Sequence, residues 1–446
     1  MTRDLGDGLL LRRATAADTE ALVAFTSDVL RYQDAPEPDV YIAAWARDLL
    51  SGGHPTVSAQ DFVVVEDQRR RRIVSCAGLI AQTWLYDGIP IGVGNPELIG
   101  THAEFRGRGL VRALLDVVHA QSAASGHQVQ AIDGIPWFYR QFGYEMALAL
   151  RGEVSVDLGR LPVQIVGACH VRLAVEADLP FIAAVCEAAA VRSLVSGCRD
   201  AASWHYEFSG RSKDNQYRVV IAVVETAGTP IGYIVHVPRL VGDRLVVMNF
   251  EVHTGYSWEA VIGAVLPYLR HTGLSYAGEG QPCDRVGFHL GAEHPIYPLL
   301  GDFAPRDDGA YAWYLRVRDL KVFLHHIRTV LQRRLASSAF AAHSGVLRLS
   351  FYRGGLQLAF ARGQLVRVDD WQQSRTLHGI EKGVPTTAER ADAYFPGMTF
   401  LQLLFGYRSL AELQHAFADC IMRSGETQAL VTTLFPKLPS NVWPVL

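Results

Sequence analysis

Residues 97–144 read ELIGTHAEFRGRGLVRALLDVVHAQSAASGHQVQAIDGIPWFYRQFGY. The stretch parses as strand, turn, amphipathic helix, strand, short helix and strand. Its turn is Arg106-Gly107-Arg108-Gly109. Two glycines let the backbone come close to a ligand, and a helix that starts there offers free N–H groups and the positive end of its dipole. The two arginines add fixed positive charge suited to phosphate oxygens. In the helix that follows, Leu110, Val111, Leu114, Leu115 and Val118 share one face, with Arg112, Asp116 and Gln121 opposite. A phosphate-bearing ligand is therefore expected at this helix N-terminus. An ordinary strand-to-helix turn has the same glycine spacing, so the turn alone does not decide between the two.

Working outward, 446 residues are too many for one core and point to two or three domains. Hydrophobic residues make up 49% and charged residues 20%, as in a soluble globular chain. Forty-two basic against 45 acidic side chains give −3, which argues against bulk nucleic-acid binding. The six cysteines are scattered, with no Cys-x-x-Cys pair and no metal-ligand spacing, so no metal is expected. They read as thiols of a reducing compartment. No apolar run reaches the ~20 residues of a membrane span, and the N-terminus lacks a cleavable apolar core; no membrane association and a cytoplasmic location are expected.

In chain order, Leu9–Arg13 reads as a strand, and Thr15-Ala16-Ala17-Asp18 caps a helix through Leu22, Val23, Phe25 and Val29. Three strands are expected over 62–66, 73–83 and 88–100. Asp157–Pro162 reads as a linker, and after it the pattern restarts. Arg172-Leu173-Ala174-Val175-Glu176-Ala177-Asp178 echoes Arg12-Arg13-Ala14-Thr15-Ala16-Ala17-Asp18, and strands and a helix follow in the same succession. His294–Gly301 parallels the Tyr139 element. This second copy has no glycine–arginine turn: His253-Thr254-Gly255-Tyr256-Ser257-Trp258 stands there instead. From Leu320 the character changes to a basic amphipathic helix over 322–335, a strand meander through 346–368, and a helix pair from Met398.

The Arg-x-x-Gly turn together with Tyr139-Arg140-Gln141-Phe142-Gly143-Tyr144 resembles the GNAT acetyltransferases. Two such units, the second degenerate, followed by a sterol-carrier-like domain resemble in particular the enhanced-intracellular-survival (Eis) type. Val111, where the general pattern has Gly or Ala, agrees with that type. The fold class implied is α+β: tandem GNAT units over 1–156 and 163–319 and a sterol-carrier-like α/β domain over 320–446.

The resemblance also implies an enzyme that transfers acetyl from acetyl-CoA to a primary amine of an aminoglycoside, polyamine or lysine type. The pyrophosphate would be held by Arg106, Gly107, Arg108, Gly109 and Leu110, and the thioester carbonyl polarised by backbone N–H groups near Thr101 and His102. Tyr139 matches the family's general acid; a phenol of reference pKa ~10 is protonated at neutral pH and can supply a departing thiolate. As an alternative, Tyr139 is a packed aromatic beside Phe138 and Phe142. The Eis type uses its C-terminal carboxylate as base, here on Leu446, at the end of an apolar, proline-stiffened tail. Glu97 is the second candidate base, with a solvated strand residue as its alternative. Asp34–Asp39, with Asp87 and Trp84, reads either as a solvated connector or as a rim for a cationic acceptor. The family further implies a ring-shaped homo-oligomer such as a hexamer. A non-catalytic acyl-CoA or lipid-binding protein is the competing class.

Overall fold

The computed structural model describes residues 2–31, 35–278, 280–303, 305–372 and 390–446. Asp34 of the expected acidic rim lies outside them. The first repeat runs β1 (Thr2–Asp4), β2 (Leu9–Arg13), α1 (Thr19–Val29), α2 (Val40–Leu50), β3 (Phe62–Asp67), β4 (Arg72–Tyr86), β5 (Ile89–Thr101), α3 (Leu110–Ala124), β6 (Val129–Ile132) and β7 (Glu145–Asp157). The second has β8 (Cys169–Leu173), α4 (Leu179–Ala189), β9 (Val195–Gly197), α5 (Ala201–His205), β10 (Val220–Thr226), β11 (Thr229–Val241), β12 (Arg244–Val252), α6 (Trp258–Tyr276), β13 (Arg285–Phe288) and β14 (Arg306–Val317). The fold is α+β with two units of this kind and a third, C-terminal one.

The two repeats are joined by exchanged strands. One fourteen-stranded sheet runs β1-β2-β3-β4-β5-β6-β14-β7-β13-β12-β11-β10-β8, with β9 on β4. The last strand of the second repeat, β14, lies between β6 and β7 of the first; Tyr314 faces Ile132 on one side and Met146 on the other. In return β7 lies beside β13 of the second repeat, Val156 against Val286. Each unit therefore completes the other's sheet, and β7 continues beyond Leu150 through Asp157, where the sequence suggested a linker begins.

The repeated opening has a physical cause. The Arg12 guanidinium spans Asp18 at 2.8 Å and Glu66 at 2.9 Å, tying the turn before α1 to β3. Arg172 does the same with Asp178 at 2.7 Å and Glu225 at 2.8 Å. Side-chain geometry of this fork-to-carboxylate kind adds direction as well as energy.

The C-terminal unit comprises α7 (Leu320–His326), α8 (Arg328–Ala336), β15 (Gly345–Ser350), β16 (Gly355–Ala361), β17 (Gln364–Asp370), β18 (Ala393–Tyr394), α9 (Thr399–Leu404), α10 (Leu410–Ala416), β19 (Ile421–Met422) and α11 (Gly425–Leu434). Its sheet has the order β17-β16-β15-β18-β19. The single helix expected over 322–335 is broken at Ile327, which is fully buried and sits between α7 and α8. Phe323, Leu324 and Leu331 join Trp84, Tyr86 and Val93 of the first repeat in one apolar cluster. The Tyr86 hydroxyl donates to the Leu404 carbonyl at 2.6 Å. Asp87, expected near a substrate rim, instead holds Arg333 at 2.6 Å and Arg334 at 2.9 Å and so fastens α8 to the first repeat. Trp84, named with it, is buried in that same cluster. Among the described residues no helix is long and apolar enough to cross a membrane.

The chain then returns to the first two units. Asn441 donates its backbone N–H to Val195 at 3.0 Å, and Trp443 packs on Trp204 in the second repeat. Leu446 ends buried with Leu22, Phe25, Cys76, Ile80 and Leu98 of the first.

Candidate active site

The turn after β5 has the geometry that close approach requires. Gly107 and Gly109 have φ of +77° and +73°, the left-handed region that side chains disfavour. A Cβ built on either meets nothing within 4 Å, so the turn is open. Gly109 is the N-cap residue of α3 and has no side chain to cap it. The first N–H groups of α3 therefore face outward without a side-chain acceptor, together with the positive end of a 15-residue helix. Arg106 and Arg108 are exposed beside them. A groove of about 380 Å³ adjoins Gly109, and its walls add Arg3 to Arg108. Arg3 carried no sequence signal, since only the folding of β1 alongside β2 brings it there. The Leu110 side chain is buried with Leu114 and Val118, so only its backbone faces a ligand. Gln121, placed on the solvent face by periodicity, is buried and donates to Asp61 at 2.9 Å.

β5 separates from β6 after Gly94, the last parallel pair being Gly94 with Gln130. Beyond it β5 bulges against β4: Gly78 faces Glu97, but Cys76 faces Gly100, and Leu98 takes φ +50°. A bulge of this kind re-aims the residues around it. The His102 N–H is spent on the Val74 carbonyl at 3.0 Å, so it cannot polarise a ligand carbonyl as expected. The His102 ring packs edge-on against Phe25, and burial, then Arg72, hold its pKa below the usual histidine value. Thr101 is out of phase with His102 in the antiparallel pairing, which turns its N–H to the side where β5 and β6 part. Its hydroxyl lies 2.7 Å from that of Ser75.

Asn95 sits at the point of separation. Its amide nitrogen donates to the Ala131 carbonyl at 3.0 Å across the opening and to Glu97 at 3.1 Å, while its oxygen accepts from Gln82 at 3.0 Å. Asn95 escaped sequence reasoning; its position two residues before Glu97 was the available signal.

Tyr139 lies on the short helical turn 138–142, which starts from Trp137 at φ +69°. The ring packs so closely on Gly134 that a Cβ there would fall 2.3 Å from it. Phe138, Tyr144 and Tyr314 surround it at ring separations of 5.1, 6.1 and 5.8 Å. Tyr314 comes from β14, so the second repeat completes this aromatic shell. Neighbouring hydroxyls are engaged: Tyr144 with His119 at 2.8 Å, and Tyr314 with the Trp137 N–H at 2.5 Å. The Tyr139 hydroxyl has no hydrogen-bond partner among the described residues. Burial raises its pKa well above the ordinary tyrosine value, and the charges of Glu97 and Asp133 push the same way. Tyr139 is thus both a packed aromatic and a protonated hydroxyl next to an anionic strand end.

Leu446 is 3% exposed, and an oxygen of it accepts from Arg211 at 2.7 Å. Arg211 also pairs with buried Glu207 and donates to the Tyr217 carbonyl at 2.7 Å. Arg211 was likewise missed in the sequence, being 235 residues from its partner. Leu446 lies in the same apolar cluster as Leu98, the residue after Glu97. Asp39 caps α2, accepting from the Tyr41 and Ile42 N–H groups.

Residues 11–147 match the family model of the acetyltransferase (GNAT) domain. The chain carries a GNAT acetyltransferase domain. Solved structures resemble it over nearly its whole length. A probable N-acyltransferase from Enterococcus faecalis V583 superposes with TM-score 0.66 at 13% identity, covering 98% of this chain and 99% of that one. A GCN5-related N-acetyltransferase from Kribbella flavida gives 0.63 at 17%, with 97% of each chain covered. Eis1 from Mycobacterium abscessus gives 0.58 at 15%, covering 98% and 99%. At these identities the likeness is one of fold. No curated protein matches the chain by sequence. The GNAT domain supports acyl transfer, and the family's acyl donor is acetyl-CoA.

Proposed function

We propose that the protein is an acetyl-CoA-dependent N-acetyltransferase acting on a primary amine. The observation that carries this reading is an uncapped, arginine-flanked helix N-terminus after a strand that parts from its neighbour, in a domain that also holds a buried hydroxyl with no hydrogen-bond partner among the described residues. The first would hold a pyrophosphate through the backbone of Gly107–Leu110 with Arg106 and Arg108. The second would serve an acid.

In this reading the Thr101 N–H polarises the thioester carbonyl as a fixed dipole in a partly dry site. The amine nitrogen forms its bond to the carbonyl carbon, and the carbon–sulfur bond breaks. Tyr139 gives its hydroxyl proton to the departing sulfur, and the second proton, which the acceptor nitrogen sheds once its bond to carbon has formed, passes through solvent to restore Tyr139. The ammonium proton of the acceptor goes to the terminal carboxylate of Leu446. Donation from Arg211 fixes the direction of that group. Glu97, fixed by Asn95, is the second carboxylate in reach of the opening. General acid–base assistance of this kind contributes roughly 10²–10⁴ in rate.

The acceptor is read as a cationic amine, with aminoglycosides, polyamines and lysine peptides as the classes to try, and the assembly as a homo-oligomer, checked by light scattering. The test is release of free thiol from acetyl-CoA with each amine. Turnover by one class supports the reading and names the acceptor; acetyl-CoA binding with no turnover by any amine sinks it in favour of a binding protein.

A further inference from the structure

The second repeat has its own parting of strands. Asn249-Phe250-Glu251 on β12 stands where Asn95-Pro96-Glu97 stands on β5. A cavity opens between β12, the segment 290–295 after β13, the segment 192–199, and the returning tail at Ser440, Asn441 and Trp443. The cavity measures about 70 Å³, enough for several waters or one small organic molecule.

Three polar atoms of its lining are buried and without a hydrogen-bond partner among the described residues: Ser196 Oγ, Asn249 Oδ1 and Arg199 Nε. Ser196 is 7% exposed, Asn249 8%, and the Arg199 side chain 3%. Leaving such groups without partners costs about 1–3 kcal/mol each, so three at one cavity call for an occupant. In the first repeat the matching Asn95 oxygen is satisfied by Gln82. Charge narrows the occupant. Arg192 is matched by Glu251 at 2.5 Å. Arg199 is fixed against the Trp443 ring at 3.7 Å and donates to the Trp443 carbonyl at 2.7 Å. Its terminal nitrogen also pairs with Glu207 at 3.6 Å, a carboxylate it shares with Arg211, so Nε is the nitrogen left to a ligand. His294 is neutral, donating from Nε2 to the Phe250 carbonyl at 2.9 Å and accepting at Nδ1 from the Ile296 N–H. The lining thus offers the Arg199 Nε–H and the Ser196 hydroxyl on one side and the Asn249 amide and Glu251 carboxylate oxygens on the other.

We propose that this cavity is a second ligand site, distinct from the acetyl-transfer site, for a small zwitterion of the α-amino-acid type. The ligand's carboxylate takes Arg199 Nε–H and Ser196 O–H, and its ammonium donates to Asn249 Oδ1 beside Glu251. The inference stands on the cavity and its unpartnered atoms and does not depend on the transfer reaction.

The test is the thermal unfolding midpoint of the full chain titrated with glycine, L-alanine and L-serine, with glycinamide and acetate as controls that each lack one charge. Amino acids are expected to raise the midpoint saturably, and the controls to leave it unchanged. Ser196→Ala removes a hydroxyl that has no partner, so the unliganded variant should unfold at or above the parent temperature while its affinity for the amino acid falls about tenfold. Asn249→Ala should weaken binding similarly. No response to any amino acid, a response to glycinamide as large as that to glycine, or unaltered binding in both variants overturns the proposal. So does a Ser196→Ala protein that is less stable without ligand, since the hydroxyl would then be held by structural water.

Discussion

In the first repeat the helix after the bulged strand begins at Gly109, with no side chain over its N-terminus; in the second, α6 begins at Ser257, whose hydroxyl accepts from the Ala260 N–H at 3.2 Å. Glu97 is half-buried at the parting of the strands, whereas Glu251 is buried and neutralised by Arg192. Two units with the same bracket and the same sheet thus differ in whether a side chain caps the N-terminus of the helix. A repeat becomes structural when its N–H groups and charges are satisfied from within. The second repeat still contributes to the first site, through Tyr314 behind Tyr139 and Arg211 on Leu446.

The contrast is open to direct attack. Its largest expected break is Tyr139→Phe, which should lower kcat by roughly 10²–10⁴ with little change in KM for acetyl-CoA, while Tyr297→Phe, at the parallel position, leaves both unaltered. Thiol release against time measures this. Because burial raises the Tyr139 pKa, the acid should remain protonated past pH ~10, and kcat should show no alkaline loss from it below that value.

The choice of base comes next. Glu97→Gln and a chain extended by one glycine after Leu446 should separate the two carboxylates: the extension is expected to lower kcat by about 10², and Glu97→Gln by less. The reverse order would reassign the proton to Glu97.

Smaller in size is the effect on donor binding. Gly109→Ala forces a Cβ into a left-handed residue at a cost of roughly 1–2 kcal/mol and should raise KM for acetyl-CoA by about tenfold. Gly255→Ala, at φ +103°, carries similar strain and should reduce stability with KM unaltered.

The smallest difference is expected where the repeats agree. Asp18→Asn and Asp178→Asn should each cost about 1–3 kcal/mol, by equal amounts within error in chemical denaturation. Asp18 is held down to about 2 chiefly by its hydrogen bonds to Arg12. A depressed carboxylate stabilises above its unfolded value of ~3.9, and that contribution is lost as pH falls from there toward 2. Asp18→Asn should flatten the acid limb of the stability curve in that window.

The amino-acid order alone determined the repeat, through Arg12–Asp18 and Arg172–Asp178, because a bracket six residues wide is a local pattern. It also carried the glycine–arginine turn and the Tyr139 element, whose φ demands and aromatic spacing are written within a few residues. Other readings failed because they turned on distant partners. Asp87 looked like a rim charge but belongs to Arg333 and Arg334. The His102 N–H was lost to β4, a matter of hydrogen-bond phase that no side chain announces. Only the tertiary structure decided that β14 enters the first repeat's sheet, that Arg211 meets Leu446, and that the Asn249 oxygen lacks the partner Asn95 finds. Those pairings join residues far apart in the chain, and their geometry is fixed by exchanged strands and a returning tail.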